Sequence, residues 1–85
     1  MFVERRERAR ARVLRRGKIV YNNGRVSLGC VLLDLSPCGA QLRTDDWMSM
    51  PEKFELQIEN GPSHLVEVRH RGMDRSGVQF IDRVA

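Results

Sequence analysis

Residues 53–59, "KFELQIE", decide the fold of this chain. Phe54, Leu56 and Ile58 alternate with Lys53, Glu55, Gln57 and Glu59. A period of two, apolar against polar, is the mark of a strand with one face buried. Working forward, "NGPS" (60–63) turns the chain and "HLVEVRHR" (64–71) reads as the next strand, with Val66 and Val68 in one phase and Leu65 in the other. "GMDRS" (72–76) turns it again, and "GVQFID" (77–82) alternates Val78 and Phe80 to close. Working backward, "DDWMSMP" (45–51) does not alternate. Asp45 or Asp46 is placed to cap a single helical turn that Pro51 stops. "AQLRT" (40–44) is a short strand, preceded by the punctuation of Pro37, Cys38 and Gly39. "VSLGCVLLDLS" (26–36) is a longer one whose Gly29 suggests a bulge or bend. Before it, "NNGR" (22–25) supplies at Asn23-Gly24 the positive φ that a type I′ hairpin needs, and "VLRRGKIVY" (13–21) is its partner strand. Six short strands at close spacing predict an all-β domain, a small barrel or sandwich.

The 85 residues suit one domain with a single modest core. At 41% hydrophobic and 31% charged, the chain reads as soluble and globular. No apolar run approaches the roughly 20 residues of a membrane span, so no membrane insertion is expected. The basic N-terminus lacks the apolar segment of a secretory signal, and a cytoplasmic protein is the expectation. Cys30 and Cys38 are too few for a disulfide framework; both read as reduced, semi-buried small hydrophobes.

The net charge of +4 is unevenly placed. Residues 1–18 hold eight basic side chains against Glu4 and Glu7, whereas the rest of the chain holds seven basic and nine acidic ones. Residues 1–11 therefore read as a mobile basic arm, helical at most in part, and residues 12–85 as the β-domain. Arms of this kind meet phosphates or acidic surfaces. Thirteen of the 15 basic residues are arginine, which favours planar, two-pronged recognition over a diffuse field.

Three stretches carry a resemblance: "RERAR" from Arg6 to Arg10, "DLSPCG" from Asp34 to Gly39, and "SGVQFID" near the C-terminus. Their order and spacing resemble the RxxxR, [D/N]xSxxG and closing-strand motifs of PilZ domains over essentially the whole chain. The resemblance implies a small six-stranded antiparallel β-barrel of the split-barrel kind that binds cyclic di-GMP. It also implies a ligand set of Arg5, Arg6, Arg10, Asp34, Ser36 and Gly39. Arg8 with Arg12, and Arg12 with Arg16, satisfy RxxxR as well. The order "ERRERAR" favours Arg6 and Arg10, with Arg5 as a further guanidinium.

The chemistry is consistent with that implication. A guanidinium forks onto guanine O6 and N7, clamps a phosphate or stacks on a purine. The Asp34 carboxylate only accepts, which matches the N1–H and N2–H donors of guanine. Ser36, two residues on and read as sharing its strand face, donates or accepts nearby. Gly39 permits either a close backbone approach or a bend with positive φ.

The blander alternatives are turn-forming roles for Asp34 and Ser36, and a solvated or polyanion-binding tail for the arm. A small barrel binding nucleic acid through the arm is the rival function. It ranks lower because the chain lacks the aromatic pair that single-strand binders stack on. A degenerate PilZ-like adaptor that binds only protein is the third. Cys30, Cys38, His64 and His70 lack zinc spacing, so no metal and no cofactor is expected. No nucleophile–base pair suggests an enzyme. His70 is expected in solvent, Trp47, Met48 and Met50 as a plug over one barrel end, and Tyr21 packed across its hairpin. The arm would order over cyclic di-GMP and signal to an unidentified partner protein, in motility, exopolysaccharide or virulence control. The C-terminal helix of many PilZ domains is expected to be absent, since only "RVA" follows the last strand.

Overall fold

A computed structural model describes residues 11–82, with side chains from Leu14 onward. Arg5, Arg6, Arg8 and Arg10, and the conformation expected of the arm, lie outside the described residues.

The six strands are β1 (Ala11–Tyr21), β2 (Val26–Leu35), β3 (Gly39–Arg43), β4 (Lys53–Ile58), β5 (Ser63–His70) and β6 (Ser76–Phe80). They form a closed barrel in the order β1-β2-β3-β6-β5-β4, and all neighbours are antiparallel. Closure removes the long exposed edges that a six-stranded open sheet would carry. Five strands each place a fully buried aliphatic at the centre: Ile19, Leu32, Leu42, Leu56 and Val66. β6 adds Val78 and Phe80. Burying each of these side chains contributes about 1.5–3 kcal/mol. Leu65 points outward, which settles the register of β5 in favour of the Val66 phase.

The hairpin between β1 and β2 turns as its sequence requires. Asn23 and Gly24 have φ of 58° and 82°, and the Arg25 N–H donates to the Asn22 carbonyl at 3.1 Å. Positive φ at both central positions makes a twist that matches the flanking strands. Tyr21 packs against the core beside this turn.

Three register shifts interrupt the ladders, and none falls at Gly29. Gly29 pairs regularly with Lys18, so the bulge expected there is absent. The shifts lie in β1 between Arg12 and Arg15, in β2 at Leu33, and in β5 at Arg69. An extra residue in one strand exchanges the two faces beyond it, because side chains alternate with a period of two. The β2 bulge thus turns Leu35 inward and Asp34 outward, where strict alternation from Cys30 and Leu32 would have buried the carboxylate.

The segment from Asp45 to Ser49 makes turns and no helix. The Ser49 N–H reaches the Asp46 carbonyl at 2.9 Å, while Thr44, rather than either aspartate, caps the entry. Its hydroxyl accepts from the Asp46 N–H at 3.2 Å and donates to the Gly29 carbonyl at 2.8 Å. Pro51 offers no N–H to the Trp47 carbonyl, so a side chain satisfies it. Arg71 Nη1 donates to the carbonyls of Trp47 and Met50 at 2.8 and 2.7 Å. Met50 is buried and Trp47 packs on the core, but Met48 stands in solvent, so the plug is two residues and not three. Arg71→Ala is expected to lower the unfolding free energy by about 1–3 kcal/mol, since it removes charged hydrogen bonds to two half-sheltered carbonyls. Urea denaturation followed by Trp47 fluorescence measures this directly, and an unchanged midpoint would show that the turn holds without it.

Beyond β6 the chain is tied back to β5. Asp82 accepts from the Leu65 N–H at 3.0 Å, and its other oxygen lies 3.4 Å from His64 Nδ1. His64 stacks on Phe80 with ring centroids 4.0 Å apart. The Leu65 N–H, followed by His64, holds the Asp82 carboxyl below its ordinary value.

Candidate functional site

The bulges assemble one row of residues across the outer face of the barrel. Arg12 is paired with Asp34, Asp34 with Gln41, Gln41 with Gly77, and Gly77 with His70. The row crosses β1, β2, β3, β6 and β5 in turn. Above it lies a cleft of about 320 Å³ whose polar lining includes Asp34, Ser36, Gln41, Arg69, His70 and Gln79.

Asp34 is largely sheltered, with 17% of its side chain exposed. Its ion-pair partner is Arg75, whose Nη1 lies 4.0 Å away on a half-exposed side chain. That distance is too long for a hydrogen bond, so the carboxylate keeps its acceptor capacity toward the cleft.

Ser36 departs from expectation. β2 ends at Leu35, and Ser36 belongs to the turn rather than to the strand face of Asp34. Its hydroxyl accepts from the N–H groups of Cys38 and Gly39, both at 3.2 Å, and lies 3.2 Å from the Gly39 carbonyl. The Ser36 N–H also donates to that carbonyl at 2.9 Å. A serine hydroxyl reaches such amides easily, and they compete with any strand-like placement. Ser36 thus builds the rim of the cleft by closing the turn that carries Gly39.

Gly39 resolves to the close-approach alternative; the positive-φ glycine among the described residues is Gly24. A Cβ at Gly39 would overlap the Val78 carbonyl oxygen and lie 3.1 Å from Gln79 Cα. The space that Gly39 leaves is filled by the backbone of β6, which lets β3 and β6 pair at the cleft floor.

Several lining residues were not singled out by the sequence. Gln41 had a signal in the alternation of "AQLRT", and His70 is exposed as expected. Arg69, Gln79 and the Arg75 partner of Asp34 had none, because they meet only when distant strands pair. Arg69 Nε donates to Gln79 Oε1 at 2.7 Å across β5 and β6.

A second cleft, of about 560 Å³, lies by Arg16, Lys18, Cys30 and Gln57. Cys30 is buried there, and loss of solvation pushes its thiol up to about 11, which leaves it protonated and a poor nucleophile. Cys38, by contrast, is exposed at the apex of the Ser36 turn and not semi-buried, because Pro37 and Cys38 cross outside the barrel wall. Among the described residues no group of three or more metal-ligating side chains comes together, and no helix is long and apolar enough to cross a membrane.

Comparison with protein-family models matches residues 4–84 to the PilZ domain. No curated protein and no solved structure gives a match.

Proposed function

The chain belongs to the PilZ domain family, generally a cyclic di-GMP-binding family, and we propose that it is itself a receptor for cyclic di-GMP without catalytic activity. The observation that carries this reading is the outward Asp34 carboxylate, turned into the cleft by the Leu33 bulge and not consumed by a hydrogen bond among the described residues. It accepts from the N1–H and N2–H of one guanine. Ser36 and Gly39 contribute by shaping the rim and floor.

The cleft is at the small end of ligand-site volumes. It holds part of a cyclic dinucleotide, and the remainder needs a second wall. Arg6 and Arg10, with Arg5 beside them, supply that wall from the arm, two residues upstream of the Arg12 that pairs with Asp34. Ordering the arm costs conformational entropy, which the charge-assisted contacts to phosphates and guanine offset. The ordered arm then presents a changed surface to a partner protein in the cytoplasm.

Calorimetric titration with cyclic di-GMP, with GTP and cyclic di-AMP as controls, tests the reading. Selective binding that disappears in Arg10→Ala supports it, and the stoichiometry separates a single ligand from an intercalated pair. A folded protein that ignores the ligand refutes it. A steep loss of affinity with salt on single-stranded RNA or DNA would instead identify a nucleic-acid binder. Two phosphates give only a shallow slope, and a tract of contacts gives one of nearly one log unit per phosphate.

A further inference from the structure

We propose that Arg69, positioned by Gln79, reads the second guanine of the cyclic dinucleotide whose first guanine Asp34 reads; the assignment rests on the receptor reading above.

The β5 bulge is the first observation. Val68 pairs with Val78 and His70 with Gly77, so Arg69 is the extra residue between two regular pairs. The bulge carries His70 to the outer face, where strict alternation from Val66 and Val68 would have turned it inward, and Arg69 stands there with it. β2 uses the same device at Leu33 to turn Asp34 outward. The two bulges flank the β3–β6 pair, one on each side, and both aim polar side chains into one cleft. Bulges recur beside binding sites because they re-aim side chains in this way.

The second observation is how Arg69 is held. Its Nε is fixed by Gln79 Oε1 at 2.7 Å, and Arg69 has no carboxylate partner among the described residues. That leaves the donors on both Nη atoms, which are set side by side and suit two acceptors in one plane. Arg71 and Arg75, by contrast, are directed at backbone carbonyls and at Asp34.

The third is the floor between them. Gly77 sits in the row between Gln41 and His70, and a Cβ there would lie 3.3 Å from Gln41 Nε2. Without that carbon the floor stays flat across three strand spacings, about 14 Å from Asp34 to His70. A span of that order accommodates two bases carried on opposite sides of one macrocycle.

Guanine presents O6 and N7 as adjacent acceptors, whereas adenine replaces O6 with an N6 donor that repels a guanidinium. Arg69 therefore discriminates at the second base. The test compares the affinity of wild type, Arg69→Ala, Arg69→Lys and Gln79→Ala for cyclic di-GMP and for mixed cyclic GMP–AMP. Wild type should prefer cyclic di-GMP by about tenfold or more. Arg69→Ala should bind the two ligands equally, with the loss on the cyclic di-GMP side. Arg69→Lys keeps donors for O6 and N7 without the planar fork, so it should keep a reduced preference, and Gln79→Ala should reduce it as well.

Arg69 is exposed, so thermal unfolding of these variants should match wild type. Wild-type cyclic di-GMP binding with the preference retained in Arg69→Ala overturns the assignment and leaves the receptor reading standing. An equal loss for both ligands also overturns it, since it marks a phosphate contact. No binding by wild type removes the receptor reading and this assignment together.

Discussion

Gly39→Ala should cost the barrel about 3 kcal/mol or more, and Gly39→Val should leave it unfolded. The obstacle to a side chain here is backbone, and backbone cannot rotate away. The new carbon would overlap the Val78 carbonyl oxygen and press on Gln79 Cα. Relief requires β3 to withdraw from β6, which opens the pairs Gly39↔Gln79 and Ala40↔Val78 and the bond from the Phe80 N–H to the Cys38 carbonyl at 2.8 Å. Overpacking alone costs about 1–3 kcal/mol, and each lost ladder bond adds about 0.5–1.5 kcal/mol. Against a total of roughly 5–15 kcal/mol for a domain of any size, a small barrel has little to lose. Chemical denaturation measures the alanine variant and the amide dispersion of an NMR spectrum the valine one. A wild-type midpoint for Gly39→Ala would mean that β3 and β6 are not in the register described.

Asp34→Ala should have the opposite profile, with the fold intact and the ligand lost. The side chain points out of the barrel, and its ion pair to a half-exposed Arg75 at 4.0 Å contributes little stability. Thermal unfolding should therefore stay close to wild type. Cyclic di-GMP affinity should fall by about tenfold to a hundredfold, the range for a charged hydrogen-bonding partner of about 1.5–3 kcal/mol. The guanine N1–H and N2–H would face an apolar methyl and lose the water they had outside. Asp34→Asn separates charge from shape, because its amide presents a donor where guanine also presents donors. Wild-type affinity in Asp34→Ala would remove this residue from the site.

Much of the barrel was legible because its core strands alternate without interruption. Phe54, Leu56 and Ile58 in β4 could be read directly, and so could the Asn23-Gly24 hairpin. The bulges could not. An inserted residue such as Leu33 or Arg69 leaves no mark of residue type, since what changes is the face of everything after it. For that reason the outward placement of Asp34 could be expected only through the resemblance, while Arg69 went unnoticed. Ser36 shows the reverse case: it was read as sharing the strand face of Asp34, and the structure holds the blander turn-forming alternative, as a serine two and three residues before Cys38 and Gly39 readily caps a turn. Gly29 was the wrong glycine for a bulge, as it pairs in register and its carbonyl is used by Thr44. The Arg71 that holds the Trp47 and Met50 carbonyls lies some twenty residues downstream, which no local pattern reveals.

The pairing of Arg12 with Asp34 has one more consequence. Two peptide units separate Arg10 from Arg12, so the Arg10 Cα cannot stray more than about 7 Å from a backbone position fixed beside the cleft. In the receptor reading proposed above, Arg10 would thus act as a tethered group rather than one that must diffuse in. Its effective concentration at the site approaches the millimolar range of short linkers or exceeds it, and closing so short a loop adds little entropy. Cutting the chain before Arg12 and supplying the arm as a separate peptide would keep every contact group and discard that advantage.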